Sequence, residues 1–270
     1  MADISCLSLA QTVPGYFQRV HGSLNQLDMI TFHVEFLSRT AVGTASITIQ
    51  PLKLGRQFST VRVQLLQNND AGKTAVCLEA HITQGNLSNE AKSGGLSLPF
   101  KPMLVKDTIP KREGCEALET DPRLPSRRPA TFKTYTLLPP GSGSICASPK
   151  YGPGVREQWV RWLPEVGTTF SLSSLAYLAD AFRPLPEACG VSGHWFPTLS
   201  YGMEVKRGPP PGTEGWEWLF LRIEIGECIA GRYDMVVLIA DGEGNVVAVS
   251  RHTALIISAE RNYQGRLSKI

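Results

Sequence analysis

Alternation of apolar and polar residues is the strongest constraint on this chain, and it comes in two blocks. In the first, Ile30, Phe32, Val34 and Phe36 alternate with Thr31, His33 and Glu35. A side-chain period of two belongs to a strand with one buried face. Ala45, Ile47 and Ile49 repeat the pattern, as do Ser59, Val61, Val63 and Leu65, and a fourth strand is expected from Thr74 to Thr83. Asn68 to Lys73 is rich in residues that tolerate positive φ and reads as a hairpin turn. The second block predicts strands over 130–138, 156–163, 195–205, 216–227, 232–240 and 246–257, the last two joined by a turn over 241–245.

Each block is preceded or interrupted by a helical period. Leu172, Leu175, Ala176, Ala179 and Phe182 form one apolar stripe, with Ser171, Thr168 or Thr169 as a cap and Pro184 and Pro186 as a stop, so the spacing predicts a helix over 168–186. In the first block Val13 to Tyr16 reads as a turn. Only a short helix over 16–27 follows, carried by Phe17, Val20 and Leu24 and weakened by Gly22. A helix followed by an antiparallel meander, occurring twice, gives an α+β chain with an internal duplication. The expected division is an N-terminal unit over 1–88 with a shortened helix, a proline-rich linker over 89–129, and a C-terminal unit over 130–270.

Composition excludes several functions. Among 270 residues 42% are hydrophobic and 19% charged, which is globular. The net charge of +3 is too small for a nucleic-acid surface, and its basic residues are scattered apart from Arg123, Arg127 and Arg128 in the linker. No apolar run is long enough for a membrane span. Six cysteines show neither a CxxC pair nor a zinc-like Cys/His spacing, so no metal is expected. Phosphate-loop, dinucleotide and nucleophile-elbow motifs are all missing, and no cofactor is expected. Without a basic-then-apolar leader the expectation is a cytoplasmic protein with free thiols; the final Ser268-Lys269-Ile270 resembles a peroxisomal address. A homo-oligomer is left open.

Three polar residues of the second block could converge. Asp180 falls at the margin of the helical stripe, Thr198 opens the next strand, and His252 lies in the last strand. A helix crossing a sheet face could bring the three around one water and polarise it for attack on a carbonyl. The simpler alternatives are an Asp180 that reaches solvent or Arg183 and a His252 satisfied within its strand. Gly55-Arg56 could contact a phosphate or be an ordinary turn with a surface arginine.

Several stretches carry a family resemblance. They are Leu52 to Gln67, Gln158 to Trp162, Ser174 to Phe182, Trp195 to Leu199, Gly231 to Tyr233, and Asp241 to His252. Together they resemble the double-hotdog acyl-CoA thioesterases, in particular the thioesterase-like proteins common in fungi. The resemblance implies two tandem hotdog units, each a helix packed on a curved antiparallel sheet. It also implies a small acyl or polyketide-like substrate on a CoA or carrier thioester. In bacterial members an aspartate, a threonine and a glutamine hold the catalytic water, and these fall on Asp180, Thr198 and His252. Tyr177, Trp195, Tyr201 and Arg56 are the expected substrate contacts. Histidine at the glutamine position is a departure. It leaves two further readings beside hydrolysis: dehydration, cyclisation or rearrangement using Asp180 and His252 as acid and base, and ligand binding without catalysis.

Overall fold

The computed structural model describes residues 4–68, 72–92, 96, 98, 104, 106–117, 134–142 and 147–258. The first element, α1 (Ile4–Val20), corrects the expected shortened helix. Cys6, Leu9, Ala10, Val13 and Phe17 lie along one side and are all buried, whereas Val20 is exposed. Pro14, which reads as a turn residue, sits inside the helix. A mid-helix proline costs about 3 kcal/mol. Burying Leu9, Val13 and Phe17 returns about 1.5–3 kcal/mol each, so tertiary packing wins over local propensity. The helix gives way to a 3-10 turn over Gly22–Leu24, closed by Asn25 in the left-handed region.

Four strands follow: β1 (Asp28–Phe36), β2 (Ser46–Lys53), β3 (Ser59–Asn68) and β4 (Thr74–Gly85). A short helix α2 (Leu87–Lys92) ends the first half. Next come β5 (Glu116–Ala117), β6 (Thr134–Leu138), β7 (Ala147–Ser148), β8 (Gly152–Pro153) and β9 (Val155–Trp162). Then α3 (Ser174–Leu178) and α4 (Leu185–Ala188) lead into β10 (His194–Trp195) and β11 (Thr198–Val205). The chain continues through β12 (Leu219–Ile229), β13 (Arg232–Ala240), β14 (Val246–Leu255) and β15 (Ile257–Ser258).

Among the described residues eleven strands form one sheet in the order β2-β3-β4-β1-β11-β14-β13-β12-β9-β6-β5. The two halves repeat a single order. After its helix, the first half lays its strands down as β2-β3-β4-β1, and the second half as β12-β13-β14-β11. They meet where β1 and β11 pair antiparallel, Val34 opposite Tyr201. Both central strands also carry a register irregularity in the same place, between Met29 and Thr31 and between Thr198 and Ser200. The inner face of this sheet packs on α1 and α3, which are joined by the Ser173 hydroxyl donating to the Ala10 carbonyl at 3.2 Å. This is the double-hotdog α+β architecture.

The helix expected over 168–186 is largely replaced. Phe170 makes a two-way backbone bridge to Trp216, and only five residues form α3. Leu175, Ala176, Ala179 and Phe182 of its stripe are buried and Leu172 partly so, but Tyr177, Leu178 and Ala181 on the other sides are buried as well, so residues 174–182 lie in the interior. One hydrogen bond helps to explain the early end. The Tyr201 hydroxyl donates to the Ala176 carbonyl at 2.5 Å, the acceptor that an α-helix would assign to the Asp180 N–H. That N–H instead bonds Tyr177 O at 3.1 Å, a tighter three-residue turn that sets the direction of Asp180.

The expected linker is also partly built in. Leu104, Ile109 and Cys115 pack on Trp159, Phe220 and Leu238 against the outer face of the second half, and Trp159 donates its indole N–H to Pro110 O at 2.9 Å. Beside this layer Arg222 bonds Glu157 Oε1 through Nη2 at 2.7 Å and Nε at 3.1 Å, while Ser148 donates to Glu157 Oε2 at 2.8 Å. Arg123, Arg127, Arg128 and Ser268 to Ile270 lie outside the described residues.

Candidate active site

Thr198 owes its inward position to a bulge. Thr198 is opposite Ala254 and Ser200 is opposite Thr253, leaving Leu199 as the extra residue, exposed at the rim. Without the bulge Leu199 would take the inner position and Thr198 would turn outward, because a shift of one residue exchanges the faces. His252 follows from simple alternation: on β14 it is buried opposite Tyr201 on one side and Met235 on the other. Asp180 comes from the tightened turn after α3 and is 9% exposed.

These three residues meet at one oxygen. The Thr198 hydroxyl donates to Asp180 Oδ1 at 3.1 Å, and His252 Nδ1 lies 3.8 Å from the same atom. The second separation is too long for a direct hydrogen bond and short enough for both groups to share one water set to the side. Among the described residues His252 Nδ1 has no hydrogen-bond partner. Its other nitrogen, Nε2, lies 2.8 Å from Ser250 Oγ. The imidazole stacks on Tyr201 with centroids 4.7 Å apart and meets the edge of Phe182 at 6.5 Å. Burial pushes the imidazole from its ordinary 6.5 down to about 3. Desolvation of the charged ring therefore outweighs the nearby carboxylate, and His252 is neutral at physiological pH.

Tyr233, on β13 opposite Ala254, joins the surroundings of Asp180. Burial and, secondarily, the Asp180 charge raise its phenol pKa, so it stays a neutral O–H donor. Sequence reading singled out neither Tyr233 nor Ser250 as a site residue. Strand alternation held the signal for Ser250, since it shares a face with His252 two residues on.

The expected substrate contacts lie in different settings. Tyr177 is fully buried and stacks on Trp162 at 5.4 Å, so it is a core side chain. Tyr201 is buried too, its hydroxyl engaged by Ala176 and its ring by His252 and Phe32. Trp195 is half-buried on β10, near the strand that carries Thr198. Arg56 is exposed on the turn between β2 and β3, and the sheet order places three strand spacings between β3 and β11. A groove of about 310 Å³ lies on the opposite, outer face, lined by His33, Glu35, Glu79, His81, Ser200 and Gly202. Among the described residues no cluster of histidine, cysteine and carboxylate side chains suits a metal. Nor is any helix there long and apolar enough to cross a membrane.

The duplication gives an internal comparison. Met29 is opposite Gln84 and Phe32 opposite Ile82 in the first half, where Thr198 is opposite Ala254 and Tyr201 opposite His252 in the second. Methionine and isoleucine thus stand where the second half has its hydroxyl and imidazole. The polar constellation is built in the second half.

Comparison with known proteins agrees with this architecture. The acyl-CoA thioesterase N-terminal domain family matches residues 6–85, and the acyl-CoA thioesterase C-terminal domain family matches residues 112–256. The thioesterase-like protein TwmA of Talaromyces wortmannii is 30% identical over 285 aligned positions, covering 89% of this chain and 80% of TwmA. Among solved structures, a hot dog fold protein of Alicyclobacillus acidocaldarius superimposes with a TM-score of 0.67 at 16% identity, covering 86% of this chain and 79% of its own. An acyl-CoA thioesterase II of Mycobacterium marinum gives 0.58 at 15% identity, covering 86% and 81%. With both halves matched in order and a fungal relative aligned along most of its length, this chain belongs to the double-hotdog acyl-CoA thioesterase-like family.

Proposed function

We propose that the protein hydrolyses the thioester of a small acyl or polyketide-like substrate carried on CoA or a carrier, with Asp180, Thr198 and His252 positioning the attacking water. The observation that carries this reading is the placement of His252 Nδ1, without a hydrogen-bond partner among the described residues and 3.8 Å from Asp180 Oδ1. A water beside both atoms donates one proton to the carboxylate and accepts a hydrogen bond from the ring. Its lone pair is then free to attack the thioester carbon. Asp180 takes the proton as the C–O bond forms, and the tetrahedral intermediate expels the thiol, which leaves with that proton. Thr198 holds Oδ1 in place and stays out of the proton transfer.

A neutral, buried histidine fits this role because it presents one N–H, as a glutamine amide does. The same burial weighs against dehydration or rearrangement chemistry in which His252 must carry a full positive charge. Substrate approaches from the end of β11, where Thr198 and Trp195 are half-buried and Leu199 is exposed. Thiol release from acyl-CoA substrates of several chain lengths tests the proposal. Asp180→Asn should lower the rate on the order of 10²-fold or more, the usual size of a lost general base. A folded wild-type protein that releases no thiol from any of them, or an Asp180→Asn variant with full activity, refutes it.

A further inference from the structure

Ser250 and His252 form a closed pair on the inner face of β14. Both are buried, and among the described residues the one hydrogen bond of Ser250 Oγ is to His252 Nε2 at 2.8 Å. The neighbours of Ser250 across the sheet are Met203 on β11 and Val237 on β13; valine offers no acceptor and a thioether sulfur only a weak one, so neither replaces the imidazole nitrogen. Two proton arrangements are compatible with that contact. In one, Nε2–H donates to Ser250 Oγ. The serine hydroxyl proton is then left inside the protein without an acceptor, and the bare lone pair of Nδ1 points toward the Asp180 carboxylate. Both consequences are unfavourable, the first as an unsatisfied buried donor and the second as repulsion at short range. In the other, Ser250 donates its proton to the Nε2 lone pair. The hydroxyl proton then has its acceptor in Nε2, and Nδ1–H is directed at the Asp180 carboxylate 3.8 Å away, across the gap that a water would bridge.

We propose that Ser250 is a positioning residue: it donates to Nε2 and thereby fixes His252 as the Nδ1–H tautomer, so that the ring offers a donor to the attacking water beside Asp180. The inference rests on the hydrolytic reading above for its catalytic meaning, but the tautomer is a property of the resting protein and is measured without substrate. Tyr201, stacked on the ring, fixes its plane, and Ser250 decides which nitrogen bears the proton. A neutral histidine can stand in for a glutamine amide only when its proton is on the nitrogen that faces the reaction. The serine two residues earlier on the same strand supplies that condition.

The test uses full-length protein with 15N-labelled histidine. The chain has five histidines, and the His252 signals are those that vanish in His252→Gln. The expected wild-type spectrum at neutral pH shows a protonated Nδ1 and a lone-pair Nε2 for His252. An Nε2–H tautomer, or a mixture of the two, overturns the proposal whatever the activity. Ser250→Ala should lose the single tautomer and lower kcat about tenfold at unchanged KM, the size of one hydrogen bond to a catalytic group. Ser250→Thr, which keeps the hydroxyl, should restore both. In a His252→Gln background, where no tautomer needs fixing, adding Ser250→Ala should change kcat by less than about twofold. A tenfold loss that persists there would make Ser250 a packing residue and refute the assignment. If Ser250→Ala fails to fold, the wild-type spectrum alone decides. A wild-type protein without thioesterase activity but with the Nδ1–H tautomer would sink the hydrolytic reading and leave the Ser250 contact standing.

Discussion

Replacing His252 with glutamine should change how stability depends on pH, and the size follows from burial. The folded imidazole is pushed down to about 3, whereas in the unfolded chain it titrates near its ordinary 6.5. Between these values the unfolded state binds a proton that the folded state refuses. Stability is therefore undiminished above the unfolded value and falls as pH drops below it, by about 1.4 kcal/mol per pH unit. From about pH 7.5 to about pH 5 the loss comes to about 2 kcal/mol for this one group. The figure does not depend on how far below 5 the folded value lies, because the folded ring stays neutral throughout that window. In a chain of this size about 2 kcal/mol corresponds to a melting temperature lower by about 4–8 °C. The assay is urea unfolding of wild type and His252→Gln at both pH values. The other four histidines are common to both proteins and cancel in the comparison, so the wild type should lose about 2 kcal/mol more than the variant on acidification. Equal losses would refute the reasoning. They would mean that the Asp180 carboxylate, 3.8 Å away, keeps the ring protonated in the fold, and proton transfer by His252 would become the better reading of the site.

Other consequences can be checked with single substitutions. Thr198→Val keeps the shape but removes the 3.1 Å donor to Asp180, and should cost about 1.5–3 kcal/mol in urea unfolding, as for a hydrogen bond to a charged group. No measurable change would mean that Asp180 does not rely on Thr198. Glu157→Gln should destabilise by about 3–5 kcal/mol, because it strands the Arg222 guanidinium, 7% exposed, in a buried setting. A differential-scanning measurement within about 1 kcal/mol of wild type would show that water reaches the pair.

The strands were legible because alternation is a local property. Strand β13 coincides with its expected span, β14 ends two residues before its own, and β9 is displaced by one residue at each end. Which face each side chain takes follows from alternation and requires no knowledge of distant partners, whereas the burial of both faces of β9 comes from the layer of Leu104, Ile109 and Cys115 on its outer side. The helices were not legible for the opposite reason. Pro14 reads as part of a turn, and only the packing of Leu9, Val13 and Phe17 makes a helix through it worthwhile. The stripe over 168–186 reads as a long helix, and only the Tyr201 hydroxyl, arriving from β11 at the Ala176 carbonyl, shows where the regular bonding is exchanged.

The candidate site divides in the same way. Asp180, Thr198 and His252 can be picked out as polar residues inside apolar patterns, and the family resemblance aligns them. Sequence alone also determined that two similar units follow one another, and that neither a metal motif nor a nucleotide loop is present. Only the tertiary structure decided that the bulge at Leu199 turns Thr198 inward, that burial keeps His252 neutral, and that Ser250 faces Nε2. These are relations between strands far apart in the chain. Periodicity specifies which face a side chain occupies, but desolvation and hydrogen-bond partners depend on what the rest of the fold places against that face.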